Sequence, residues 1–382
     1  MSRTIFGFAI VAIFLFSAPV LGAREVPSGV DGIGPHLAFA PREARPTKSD
    51  YLLLFLIGTA TRPKFYLDFA EHARKSGYYV LVLNYPVRLS SLDCRPVDSA
   101  AYQERIVFGR GGRVKCFSQG FAHGDPERYV NEPGRQGSIR ALAARALSQL
   151  GWGAFTRGFL TRTLNNERVV LAGHSKGAGH AAYYAIREGG FRRVLLFSGP
   201  PACELPGETP GSFYKEADKA GLLRKCEPAA WLRGSSKQDR SRFYAVIPKY
   251  DAITIAPNLW RSACHAMGRP EADCASGNVA QKSFRAAELS DVVGLSRSIK
   301  RVMSHRSRVY EIRDRGPRVD VNGCWKRLVE RKSRRDLAPC AAFFAVHNMA
   351  IMNRARVNDG MRGQLWFFLL PPAAKIDRIE DR

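Results

Sequence analysis

The chain has 382 residues, with 59 Lys and Arg against 34 Asp and Glu, for a formal net charge of +25. Hydrophobic residues make up 45% and charged residues 24%. That is enough apolar material for a sizeable core, and it excludes collagen, coiled coil and wholesale disorder. The length suits an enzyme and exceeds that of a small binding module.

The N-terminus reads as a secretory signal over residues 1–23. One cation, Arg3, precedes an apolar run from Ile5 to Leu21, broken only by Gly7, Ser17 and Pro19. Pro19 and the small residues Gly22 and Ala23 place cleavage near 22 or 23. A spanning helix needs about 20 apolar residues without such breaks, so no transmembrane span is expected after cleavage, and the chain is expected to be secreted or periplasmic. Residues 24–50, rich in Pro, Gly and Arg, read as an N-terminal arm ahead of one domain over 51–382.

Within that domain, Tyr51–Ile57 is a continuous apolar run, the pattern of a strand buried on both faces. Lys64–Ser76 has helical spacing through Phe65, Phe69 and Ala73, with Gly77 just past its end. Tyr78–Leu83 is a second buried strand, so strand, helix and strand imply a crossover and a parallel sheet. Residues 89–134 read as a long irregular insertion, and Arg135–Leu150 resumes helical spacing. Arg168–Ala172, Arg193–Phe197, Phe243–Ile247 and Arg308–Ile312 are further strands, and Lys176–Glu188 is an Ala-rich helix. Residues 205–242 form a second cap or loop insertion. Gln364–Leu370 is too short to span a bilayer and is expected to bury a C-terminal helix against the sheet. The fold class is α/β: a mostly parallel open sheet flanked by helices, with loop insertions.

Eight cysteines, at 94, 116, 203, 226, 264, 274, 324 and 340, suit disulfides in an exported chain. Pairing each with its nearest neighbour would staple the loops Cys94–Cys116, Cys203–Cys226, Cys264–Cys274 and Cys324–Cys340. No C-x-x-C occurs, so zinc-ribbon and thioredoxin chemistry lack support, and no metal is expected.

The most informative residues are Gly173-His174-Ser175-Lys176-Gly177. This is G-x-S-x-G with a buried strand before it and a helix after it, the context the motif requires. Glycines two residues either side of the serine remove side chains that would clash in a strained strand-to-helix turn. The helix N-terminus then lies beneath the charge that develops on the substrate oxygen.

On these residues the chain resembles the α/β-hydrolase superfamily, from about Tyr51 onward. The resemblance implies a nucleophile, an acid and a histidine in that chain order. Asp251 follows the strand Phe243–Ile247, and His347 follows the last strand, whereas the other histidines fall elsewhere in that order. The resemblance therefore implies Ser175, Asp251 and His347 as a triad. It also implies an oxyanion hole from the backbone N–H of Lys176 and of Thr59 or Ala60, although Gly58-Thr59-Ala60 lacks the His-Gly-Gly form. Lys176 either favours an anionic acyl group or begins the helix pointing outward.

The expected activity is hydrolysis of carboxylic esters, of small molecules, lipids or polymers, through an acyl-enzyme and without a cofactor. The triad serves acyl transfer to an alcohol equally well. A different class, a non-catalytic protein binding polyanions or anionic surfaces, draws on the basic residues between Arg297 and Arg335. No specific nucleic-acid motif is present.

Overall fold

A computed structural model describes residues 22–43, 45–59, 61–85, 100–110, 115–116, 128–129, 135–158, 163–200, 203–204, 227–248, 259–268, 309–312, 370 and 372–376. Eight strands form its main sheet: β1 (Ala23–Val26), β2 (His36–Phe39), β3 (Leu52–Leu56), β4 (Tyr79–Leu83), β5 (Val169–His174), β6 (Arg193–Phe197), β7 (Phe243–Pro248) and β8 (Val309–Ile312). Their spatial order is β1-β2-β4-β3-β5-β6-β7-β8. Neighbours from β4 to β8 pair in parallel, while β2 runs antiparallel to both β1 and β4.

The α-helices among the described residues are α1 (Leu67–Lys75), α2 (Ala100–Phe108), α3 (Ile139–Gln149), α4 (Lys176–Glu188), α5 (Ala230–Arg233) and α6 (Leu259–Ala266). Every residue of β3, β4, β5 and β6 is buried. This accounts for the continuous apolar runs: a parallel strand covered on both faces has no solvent side on which to place polar residues. Each Leu, Val or Phe so buried contributes roughly 1.5–3 kcal/mol.

The periodicity of the first helix is realised in α1, which buries Phe69, Ala70 and Ala73. Phe69 meets Phe55 of β3 and Phe197 of β6, at ring-centroid distances of 5.5 and 5.3 Å. Gly77, at φ +94°, ends it, with its N–H on the Arg74 carbonyl and that of Tyr78 on Ala73, a left-handed termination that glycine adopts without strain. On α3, Ser138 caps the N-terminus by accepting from the Ala141 N–H.

Two expectations are revised. The arm expected at 24–50, together with Ala23 before it, supplies β1 and β2, which extend the sheet past β4. Their four-residue length and mixed composition carry no strand signal, and the open edge of β4 is what orders β2. The insertion at 89–134 contains α2, which packs against α3 and α4, and is therefore not irregular throughout. At the other end, Leu370 and Ile376 are buried. The Ala373 N–H donates to the Ser76 carbonyl, so the C-terminal segment returns to the end of α1. The helix expected over Gln364–Leu370 lies outside the described residues except for Leu370. Among the described residues, no helix is long and apolar enough to cross a membrane.

Candidate active site

Ser175 stands between the end of β5 and the start of α4. It has φ 53° and ψ −121°, a left-handed conformation that costs a non-glycine residue on the order of 1–3 kcal/mol. The surrounding backbone holds it there: its N–H donates to the Phe197 carbonyl of β6, and its carbonyl accepts from the Ala178 N–H. The side chain makes no capping hydrogen bond to the helix. Its hydroxyl is thus not engaged in the role a serine at this position usually has, and the residue is half-buried, not sealed in the core.

The two motif glycines are required by contact. A Cβ on Gly173 would overlap the Gly177 carbonyl and lie 2.7 Å from the Ala178 nitrogen. A Cβ on Gly177 would overlap the Leu56 carbonyl and lie 2.6 Å from that of Ile57. The turn can therefore press directly against the end of β3.

On that side lies the segment from Gly58 to Thr61. A Cβ on Gly58 would stand 2.8 Å from His174 Nδ1 and 3.3 Å from the Ser175 Cβ, so this loop sits immediately beside Ser175. Two buried tyrosines hold it. The Tyr85 hydroxyl donates to the Ile57 carbonyl at 2.8 Å. The Tyr66 hydroxyl accepts from the Gly58 N–H at 3.0 Å and lies 2.9 Å from Thr61 Oγ1 and 3.1 Å from His174 Nδ1. Burial raises the pKa of both phenols, so both stay protonated through the neutral range. Because the Gly58 N–H is taken by Tyr66, an oxyanion donor from this loop must come from Thr59 or beyond. Thr59 is half-buried, and Ala60 lies outside the described residues.

On the opposite flank, α2 lies along α4. Lys176 is buried, with its ammonium 4.8 Å from the centre of the Tyr102 ring, which corrects the reading in which it points outward. A cation at a helix N-terminus is opposed by the helix dipole, and α4 has no acidic residue in its first turn. The aromatic face offsets part of that cost.

One turn further, buried His180 shares a hydrogen bond of 2.7 Å between its Nδ1 and Gln103 Oε1. Its ring meets those of Tyr85 and Tyr102. Desolvation, and then the charge of Lys176, hold its pKa well below the ordinary value, so it is a neutral core histidine at physiological pH. Glu104 closes the row by accepting from the Tyr183 hydroxyl and from Arg187.

Of the residues expected at the site, Ser175, Lys176 and Thr59 are brought together at the C-terminal ends of β5 and β3. Asp251 and His347 lie outside the described residues, as do Cys94, Cys226, Cys274, Cys324 and Cys340. Cys264 on α6 is buried and disulfide-bonded; its expected pairing with Cys274 falls outside the described residues. Among the described residues, no group of His, Cys, Asp or Glu is arranged to hold a metal ion. Residue spacing did not single out Tyr66, Tyr85, Gln103 or Ser198. Ser198, just past the end of β6, is a second serine with positive φ, 49°, and unlike Ser175 it is fully buried, with its N–H on the Val246 carbonyl. Only the fold brings these four to the elbow.

No family model matches the chain, and no curated protein matches its sequence. Solved structures similar to it include esterase B from Lactobacillus rhamnosis, at 10% identity and TM-score 0.39, covering 94% of this chain and 87% of that one. Another is an S-formylglutathione hydrolase from Agrobacterium tumefaciens, at 13% and 0.36, covering 64% and 81%. A third is an acetyl xylan esterase from Aspergillus awamori, at 15% and 0.35, covering 64% and 77%. The class rests on the strand order and the elbow instead. Among the described residues, a mostly parallel eight-stranded sheet in the order β1-β2-β4-β3-β5-β6-β7-β8, flanked by helices and with Ser175 on the turn from β5 to α4, is an α/β-hydrolase fold.

Proposed function

We propose that the chain is an exported serine hydrolase that cleaves carboxylic esters. The observation that carries this reading is Ser175, held at φ 53° on a strand-to-helix turn, with a hydroxyl that does not cap the helix. Its partners in the proposal are Asp251 and His347. Strands β5, β7 and β8 run parallel, so their C-terminal ends emerge on one edge of the sheet. That is the edge on which α/β proteins place their ligands. Asp251 follows β7 by three residues, and His347 comes after β8.

In the proposed reaction His347 takes the Ser175 proton as Oγ attacks the ester carbonyl carbon. The N–H groups of Lys176 and Thr59 or Ala60 receive the oxyanion. The carbon–oxygen bond to the alcohol breaks, His347 returns the proton to the departing oxygen, and an acyl-enzyme remains. Water then attacks with His347 as base, and the acid and free Ser175 are released. Asp251 accepts the His347 N–H and stabilises the imidazolium. An apolar setting strengthens each of these interactions. Export is supported by the signal-like residues 1–23 and by the disulfide at Cys264.

The test is labelling of the purified full chain by a fluorophosphonate probe, beside Ser175→Ala. Labelling is expected in the wild type and absent from the variant. A folded wild type that does not label would sink the proposal, and salt-dependent retention on a polyanion would then favour a binding role for the net charge of +25.

A further inference from the structure

Resting on the hydrolase reading above, we propose that Tyr66 is a positioning residue. Its buried hydroxyl ties the loop beginning at Gly58 to the residue that precedes the nucleophile, and so sets the distance between the attacking oxygen and the N–H groups that receive the oxyanion.

Four contacts converge on this tie: Gly58 N–H to Tyr66 OH at 3.0 Å, His174 Nδ1 to Tyr66 OH at 3.1 Å, Thr61 Oγ1 to Tyr66 OH at 2.9 Å, and Thr61 Oγ1 to the Gly58 carbonyl at 2.7 Å. Proton bookkeeping assigns them uniquely. The single hydroxyl proton of Thr61 goes to the Gly58 carbonyl, which only accepts. The proton shared between Thr61 and Tyr66 must then come from the phenol. With its proton so used, Tyr66 can only accept from the imidazole, so His174 carries its proton on Nδ1. In this arrangement the phenol donates once and accepts twice, using each of its hydrogen-bonding capacities.

The geometry gives the cluster a direct hold on the chemistry. His174 is the last residue of β5, covalently joined to Ser175, and Gly58 is joined to Thr59, a donor candidate. Gly58 has no side chain to act as a spacer, since a Cβ there would meet the imidazole and the Ser175 Cβ. Loop and elbow thus abut, and the Tyr66 hydroxyl registers one against the other. The ring of Tyr66 is itself held, at 4.7 Å from Phe55 and 5.8 Å from His174, so losing the hydroxyl alone leaves the packing in place. A displacement of about 1 Å at such a site is enough to lower turnover on the order of a hundredfold.

The experiment is steady-state hydrolysis of p-nitrophenyl butyrate by the full chain, with fluorophosphonate labelling rates and thermal melts alongside, for the wild type, Ser175→Ala, Tyr66→Phe and Thr61→Val. In folded Tyr66→Phe, kcat is expected to fall about 10- to 100-fold with KM within about twofold, because the tie acts on the transition state and not on substrate binding. Thr61→Val, which keeps the shape and removes the contact to Gly58, should move kcat in the same direction by less. A wild type that turns over beside a folded Tyr66→Phe with unchanged kcat, or with the loss confined to KM, overturns the inference and leaves the hydrolase reading standing. If Tyr66→Phe fails to fold, an unchanged kcat in Thr61→Val overturns it instead. A wild type that neither turns over nor labels removes the hydrolase reading and this inference together.

Discussion

The two flanks of α4 are built by different means. Towards β3, the elbow and the segment at Gly58 meet through backbone: glycines at 177 and 58 with no room for a methyl group, and a tyrosine hydroxyl between Gly58 and His174. Towards α2, contact is made through side chains: Tyr102 on Lys176, Gln103 on His180, and Glu104 on Tyr183 and Arg187. Backbone contacts leave little slack, because a misplaced carbonyl moves every residue joined to it. Side-chain contacts can be lost singly and relaxed around. The flank towards β3 is therefore expected to govern folding and turnover, and the flank towards α2 to govern stability alone.

That contrast can be broken most forcefully at Gly177. Gly177→Ala drives a methyl group into the carbonyls of Leu56 and Ile57. A loss of about 3 kcal/mol or more, or failure to fold, is expected in urea unfolding. A well-folded, fully active alanine variant would remove the distinction.

On the other flank, Gln103→Leu leaves buried His180 Nδ1 without its partner. It should cost about 1–3 kcal/mol of stability while kcat holds. If kcat instead drops as it does in Tyr66→Phe, then α2 also sets the site.

Acid should act on the same flank. The folded pKa of His180 lies below its unfolded value of 6.5. The unfolded chain therefore binds the proton first, and the stability that neutral His180 provides is present above that value and lost as pH falls through it. His36 of β2 behaves alike, because burial and then Arg145 lower it to about 4. The associated loss should run from about pH 6.5 down to about pH 4 and then level off. Chemical denaturation below about pH 6.5 checks both sites, and His180→Leu should make stability fall less steeply as pH drops below that value.

The smallest effect is expected at Glu104. In its ion pair with Arg187 the arginine side chain is 57% exposed. Glu104→Gln should cost below about 1 kcal/mol, and less at high salt.

How much was legible in the sequence differs between the two flanks in the same way. The strands at 52–56, 79–83, 169–174 and 193–197 fall within a residue or two of where apolar runs place them, since burial on both faces leaves an unmistakable pattern, and those at 243–248 and 309–312 fall within a residue of their expected bounds. The elbow was legible because a strained turn needs glycine at fixed offsets. Strands β1 and β2 were not, because four residues against an existing edge need no pattern of their own. Helix α2 was hidden because its buried positions include Gln103, which periodicity reads as polar.

The sequence by itself determined the central strands, the serine on its turn and the excess of positive charge. These are local: each depends on residues within a few positions of one another. Tertiary structure alone decided that Lys176 turns inward onto Tyr102 and that His180 is a neutral core residue. It alone placed a tyrosine 108 residues from His174 between the elbow and the neighbouring loop. The physical reason is that a polar side chain takes its role from the partner that satisfies it once it is removed from water, and that partner is chosen by the packing of distant segments.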